Sequence, residues 1–190
     1  MRIHSMARNN HFSVVWALMI GLGIQGDATA PVAEYYQKKA MKYEEAERQV
    51  KAHLNTFDDL DYNVFTGQKW AELHRSHAPD VVVHWPDGHT TKGIDQHTRD
   101  LSAMFVWAPD TRIREHTVKF GHGEWTSVIG VMEGTFTRPM PTGGGKFIQP
   151  TGKAYKIGMA TIGHWTSGVM NEEYLFWDNQ EFAKQIGLEK

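Results

Sequence analysis

Apolar and polar positions alternate with two different periods along this chain, and the change of period divides it. From Ala33 to His53, Tyr36, Ala40, Tyr43 and Val50 recur at roughly helical spacing, with Leu54 just beyond, among Lys38, Lys39, Glu44, Glu45, Glu47 and Arg48. That pattern predicts a charged amphipathic helix. Phe57, Leu60 and Val64 share one face of a second helical stretch over 56–65, which Gly67 breaks. "QKWAELHRSH" predicts a short third helix, stopped by Pro79. "DVVVHW" is brief and β-branched, hence a strand, and "PDGHTTKG" is turn chemistry. A helix is predicted over Ile94 to Trp107, with Leu101, Met104 and Phe105 on its apolar face. Beyond it the period shortens. Strands are expected over Arg112–Phe120, Trp125–Thr137, Ala154–Trp165 and Val169–Trp177, with a Gly- and Pro-rich loop, "RPMPTGGGKFIQPTG", before the third. A terminal helix over Asp178–Ile186 closes the chain. Helices followed by long antiparallel strands define an α+β fold. A curved sheet would wrap its concave face against the helices and leave a pocket open at one end.

Composition changes this picture at the N-terminus. Arg2 and Arg8 precede an almost uninterrupted apolar run, "FSVVWALMIGLGI", and Ala28-Thr29-Ala30 follows with small-x-small spacing. This is the pattern of a secretory leader cleaved after Ala30, and the run is shorter than the roughly 20 residues a membrane span needs. A secreted or periplasmic protein without a membrane span is therefore expected. Three segments result: a leader over 1–30, a helical extension over 31–52 and one domain over 53–190. With a net charge of −2 in 190 residues, nothing points to nucleic acid. The chain has no cysteine, which excludes disulfides, thiolate nucleophiles and Cys-ligated metals.

Candidate chemistry is sparse. "HWPDGH" gathers His84, Asp87 and His89, a set that could hold a metal, but a solvated turn after a strand is the favoured reading, with His84 at a cavity edge. "PTGGGK" lacks the spacing of a phosphate loop, and no Ser or Thr follows its Lys. The strongest signal is "GVMNEEYLFWDNQEFAKQIG". Strict alternation puts Asn171, Glu173, Leu175 and Trp177 on one face of a strand and Met170, Glu172, Tyr174 and Phe176 on the other. Each face carries one Glu among apolar neighbours, so alternation leaves open which is buried. A carboxylate inside an apolar cavity has a raised pKa and makes a serviceable general acid or base; an inward Glu tied to a basic partner would be structural.

Residues from about His53 to Gly187 resemble the SnoaL-like polyketide cyclases, or ester cyclases, of the nuclear-transport-factor-like fold shared with ketosteroid isomerases. "HAPDVVVHWPDG" with "TKG", "GTFT", "PTGK" and above all "SGVMNEEYLFWDNQEFAKQIG" carry the resemblance. It implies a cone-shaped barrel of curved antiparallel sheet packed on N-terminal helices, often dimeric. It also implies proton-transfer chemistry, such as intramolecular aldol ring closure, without metal or cofactor. The family's catalytic Asp falls at Leu175 and its assisting His at or near Thr161, so that machinery is not reproduced here. The same register turns Glu173, Leu175 and Trp177 inward and Glu172 outward. The expected protein is an exported acid/base enzyme of cyclase, isomerase or lyase type acting on a small hydrophobic or polyketide-like molecule. Glu173 would be its acid/base, His84 and Asp87 its assistants, and Trp85, Trp107, Thr161, Leu175 and Trp177 its substrate-binding wall. The alternative is a non-catalytic binding module of the same fold.

Overall fold

The computed structural model describes residues 29–188. The leader expected over 1–30 lies, apart from its last two residues, outside the described residues. The chain up to Tyr43 and the chain from Glu44 form separate compact units. All that follows concerns the second, apart from the start of the first helix.

Helix α1 runs Thr29–Asp59, and a wider π-helical turn, Leu60–Phe65, extends it, so the two predicted helical stretches are continuous and end before Gly67 as expected. In that turn the Thr66 N–H reaches back five residues to the Asp61 carbonyl at 3.2 Å. Phe57, Leu60 and Val64 are buried as their spacing predicts, and Asp61 is buried beside them. A 3₁₀ turn, Trp70–Arg75, leads to strand β1, His77–His84, and then to β2, Thr90–Lys92. Helix α2 spans Ile94–Trp107. Gly93 starts it at φ 93°, a left-handed conformation that glycine tolerates freely. Strands β3 (Arg112–His122) and β4 (Trp125–Thr135) follow. The loop rich in Gly and Pro contains a small hairpin, β5 (Met140–Gly143) and β6 (Lys146–Ile148), that periodicity does not reveal. Strands β7 (Ala154–Thr166) and β8 (Val169–Trp177) and helix α3 (Asn179–Gln185) end the described chain. Asp178 caps α3 by accepting from the Gln180 and Glu181 amides.

The main sheet has six strands in the order β2-β1-β8-β7-β4-β3. It is curved and packs on the helices, but it does not close into the expected barrel. Nor is it wholly antiparallel, because β1 and β8 run parallel at its centre. One apolar cluster gathers Phe65, Phe105, Trp107, Phe136 and Tyr155; another gathers Phe57, Val64, Leu73, Trp165 and Met170. Each such side chain contributes about 1.5–3 kcal/mol when fully buried. No helix among the described residues is long and apolar enough to cross a membrane.

Strict alternation fails at one place on β8. The pairing of β7 with β8 shifts register between His164–Glu172 and Trp165–Met170. An extra residue on β8 makes a bulge. Met170 and Glu173, three apart, are thereby both buried, although plain alternation sets them on opposite faces.

Candidate active site

The inner face of the sheet, the π-helical turn and α2 enclose a small cavity of about 60 Å³ that opens to solvent. Leu101, Met104, Met132, Leu175, Trp85 and Trp177 give it apolar walls, and Asp61, His77, His97, Asp100, Thr161 and Glu173 supply polar groups. Mostly apolar walls with a few convergent polar groups are the usual make-up of a small-molecule site.

Glu173 sits on β8 between Val83 of β1 and Gly163 of β7 and is 3% exposed. His77 at the start of β1 and His97 in the first turn of α2 are as deeply buried. Their Nε2 atoms stand 3.7 Å and 3.2 Å from the same oxygen, Glu173 Oε2, and neither approach has hydrogen-bond geometry. Burial opposes ionisation of Glu173. The two imidazoles outweigh it when they present a proton to Oε2, and they hold the carboxyl far below its ordinary range. The direction is opposite to the raised pKa expected from an apolar strand, because two imidazoles from distant segments arrive beside the carboxylate.

Asp61 behaves differently. Burial pushes its carboxyl up, against the pull of His116. His116 on β3 lies between two acids, with Nε2 2.7 Å from Asp61 Oδ2 and Nδ1 2.8 Å from Asp58 Oδ1. Carboxylates only accept, so a neutral imidazole can serve one of them and an imidazolium serves both. Burial lowers the His116 pKa, and the bonds to Asp61 and Asp58 outweigh that and raise it. Lys119 donates to the other oxygen of Asp58 at 2.6 Å, toward the surface. A buried carboxyl, an imidazole and a half-exposed carboxylate thus connect cavity and solvent.

Five of the site residues expected from the sequence line the cavity: Glu173, Trp85, Thr161, Leu175 and Trp177. Trp107 is instead core, packed edge-on against Phe136. His84 and Asp87 do not line the cavity either. His84 Nε2 lies 2.9 Å from Glu172 Oε1 on the outer face of the sheet, where its ring stacks on Tyr174. His84 first, and then Tyr174, hold the Glu172 carboxyl below its usual range. Asp87 is an exposed turn residue bonded to His89. Among the described residues the one group whose ligand atoms converge closely enough to hold a metal is His77, His97 and Glu173, not His84, Asp87 and His89.

Sequence reasoning missed Asp61, His77, His97 and His116. Two left a signal. Asp61 completes the stripe Phe57, Leu60, Asp61, Val64, and His97 precedes Leu101 and Met104 on the apolar face of α2. An ionisable residue inside an apolar stripe is a cavity candidate. His77 and His116 carry no comparable local signal.

A mixed α+β fold with a curved sheet packed on N-terminal helices defines the ketosteroid isomerase-like fold class. The sequence profile of the SnoaL-like polyketide cyclases matches residues 45–186, and the chain belongs to that family. Solved structures agree on the fold. A candidate SnoaL-like polyketide cyclase from Jannaschia sp. CCS1 superposes with a TM-score of 0.64 at 15% identity, over 74% of this chain and 94% of that one. IdmH, a candidate polyketide cyclase from Streptomyces antibioticus, gives 0.60 at 20% identity, over 71% and 98%. A ketosteroid isomerase-like protein from Catenulispora acidiphila, solved with trimethylamine, gives 0.55 at 14% identity, over 72% and 93%. No curated protein matches the chain.

Proposed function

We propose that this chain is an exported enzyme of cyclase or isomerase type that moves a proton on a small hydrophobic, carbonyl-bearing molecule held in the cavity. The observation that carries the reading is the pairing of two buried carboxylates with opposite environments in one apolar cavity. Groups whose surroundings push their pKa values apart divide the acid and base roles between them. Asp61, backed by His116, is assigned the proton exchange, because burial raises its proton affinity and its partner leads to solvent. Glu173, the acid/base expected from the sequence, is assigned to the polar group it forms with His77 and His97, which meets the substrate oxygen that gathers charge. The basic start and apolar leader support export. Val118, Ile129 and Phe176 lie in one exposed row across the outer sheet face, with Phe120 two residues on, and support a homodimer.

The test is deuterium incorporation from D₂O into a panel of cyclic ketones and β-keto esters, followed by NMR. The wild-type chain is expected to exchange the carbon-bound proton next to the carbonyl. Asp61→Asn and Glu173→Gln are each expected to lose at least about 100-fold. Leu175 and Thr161, where the cyclases carry their Asp and His, favour a second reading as a binding module. That reading wins if a molecule is retained in native mass spectrometry and none of the panel exchanges.

A further inference from the structure

The arrangement around Glu173 is electrostatically incomplete. Ser76 Oγ lies 3.1 Å from the Leu73 carbonyl and 2.9 Å from His77 Nδ1. A carbonyl only accepts; with the hydroxyl proton on Leu73, the hydroxyl accepts from His77. The proton of a neutral His77 is therefore on Nδ1, and Nε2 carries a lone pair. That lone pair faces the Glu173 carboxylate at 3.7 Å, with both side chains almost wholly buried. Two acceptors aimed at each other repel unless something positive lies between them. His97 adds a third ligand atom, with Nε2 3.2 Å from the same oxygen. His77 Nε2, His97 Nδ1 and Glu173 Oε2 all lack a hydrogen-bond partner, as does Asp100 Oδ2 in the same cavity.

We propose that His77, His97 and Glu173 form a binding site for a divalent transition metal of the zinc class, with its open positions toward the cavity. Two imidazoles and one carboxylate are a standard ligand set for such ions with a position left free for water or substrate. Ligands about 2.0–2.1 Å from a tetrahedral ion stand about 3.3–3.4 Å apart. The observed 3.2 Å and 3.7 Å to Glu173 bracket that span, and all three ligand atoms lie within 4.8 Å of one another. Ser76 has the role usual for the partner behind a metal-bound histidine: it fixes the tautomer and aims Nε2. The proposal departs from the metal independence implied by the resemblance. It deepens the function proposed above by naming what the polar group supplies. An ion held there by His77, His97 and Glu173 would offset the Glu173 charge, which otherwise repels an enolate, and would supply Lewis-acid polarisation of a substrate carbonyl. Asp61 still exchanges the proton.

Cobalt(II), a coloured stand-in for zinc, is titrated into chelator-treated protein and followed by visible absorption, with near-UV circular dichroism to confirm folding. One equivalent per chain is expected, with the intense bands of a four- or five-coordinate site, bleached by added zinc. Glu173→Gln and His97→Asn should abolish the bands. Ser76→Ala, which touches no metal, should weaken affinity about 10–100-fold. The double variant His84→Ala/His89→Ala should bind like wild type. The proposal is overturned if the wild-type chain gives no saturable bands, if the bands persist in Glu173→Gln, or if they vanish only with His84 and His89. Should Glu173→Gln fail to fold, unaltered affinity in Ser76→Ala overturns it instead. The readout is metal binding, so it can fail while deuterium exchange through Asp61 stands, and the reverse.

Discussion

His116 shows how two residues of one type in one fold acquire different jobs. His84 and His116 both end up beside carboxylates. His84 meets one on a solvated outer face, whereas the His116 ring is fully enclosed between Asp58 and Asp61. A histidine whose pKa is raised in the folded state contributes stability in full below its unfolded value of about 6.5 and loses it as pH rises through the folded value. Asp58, held low by Lys119 and His116 against its burial, is ionised in both states across that window and does not alter the sign. Urea unfolding from pH 6 to 9 is therefore expected to show stability declining through the folded pKa of His116. NMR titration should place that value above about 6.5. His116→Gln should flatten the decline, and an unchanged pH profile in that variant would remove the ion pair from the account.

At the scale of elements, the bulge on β8 and the glycine opposite it decide the site. Gly163 pairs with Glu173, and a Cβ there would lie 2.5 Å from Met170 Sδ and 3.1 Å from Phe57 Cε2. Both neighbours are fully buried, so the Met170 side chain has to shift within the core. Gly163→Ala is expected to cost about 1–3 kcal/mol in chemical denaturation, as overpacking does. It should also disturb the apolar cluster around Met170, whose inward position depends on the same bulge. A change below about 0.5 kcal/mol would show that the strand pair yields at little cost. The π-helical turn plays a matching part on the other wall, since its wider winding carries Asp61 among the buried residues of the turn.

For the whole molecule, the division at Tyr43 and Glu44 has a simple physical basis. Every side chain from Ala30 to Tyr43 is exposed, including Tyr35, Tyr36 and Tyr43, whereas burial begins further along α1 and is complete at Phe57. A chain starting at Glu44 is expected to unfold within about 0.5 kcal/mol of the full chain, as changes confined to exposed surface do. A larger loss in a denaturant titration would give the first helical turns a stabilising role.

The sequence by itself determined the α+β class, most of the elements, the family and an inward Glu173 on the last strand. These follow from local periodicity and from motifs within single segments. Only the tertiary structure decided what surrounds that carboxylate. His77, His97, Asp61 and His116 come from a strand start, two helical turns and a second strand, and His77 and Glu173 alone are 96 positions apart. Local pattern records which face a residue occupies, but it does not record which residues of other elements meet it there. It also counts alternation as unbroken, and so cannot place the extra residue that turns Met170 and Glu173 to the same side. The expected raised acid at Glu173 became a carboxylate held ionised between two imidazoles. The group with raised proton affinity proved to be Asp61, because the sign of a pKa shift is set by burial and neighbours together.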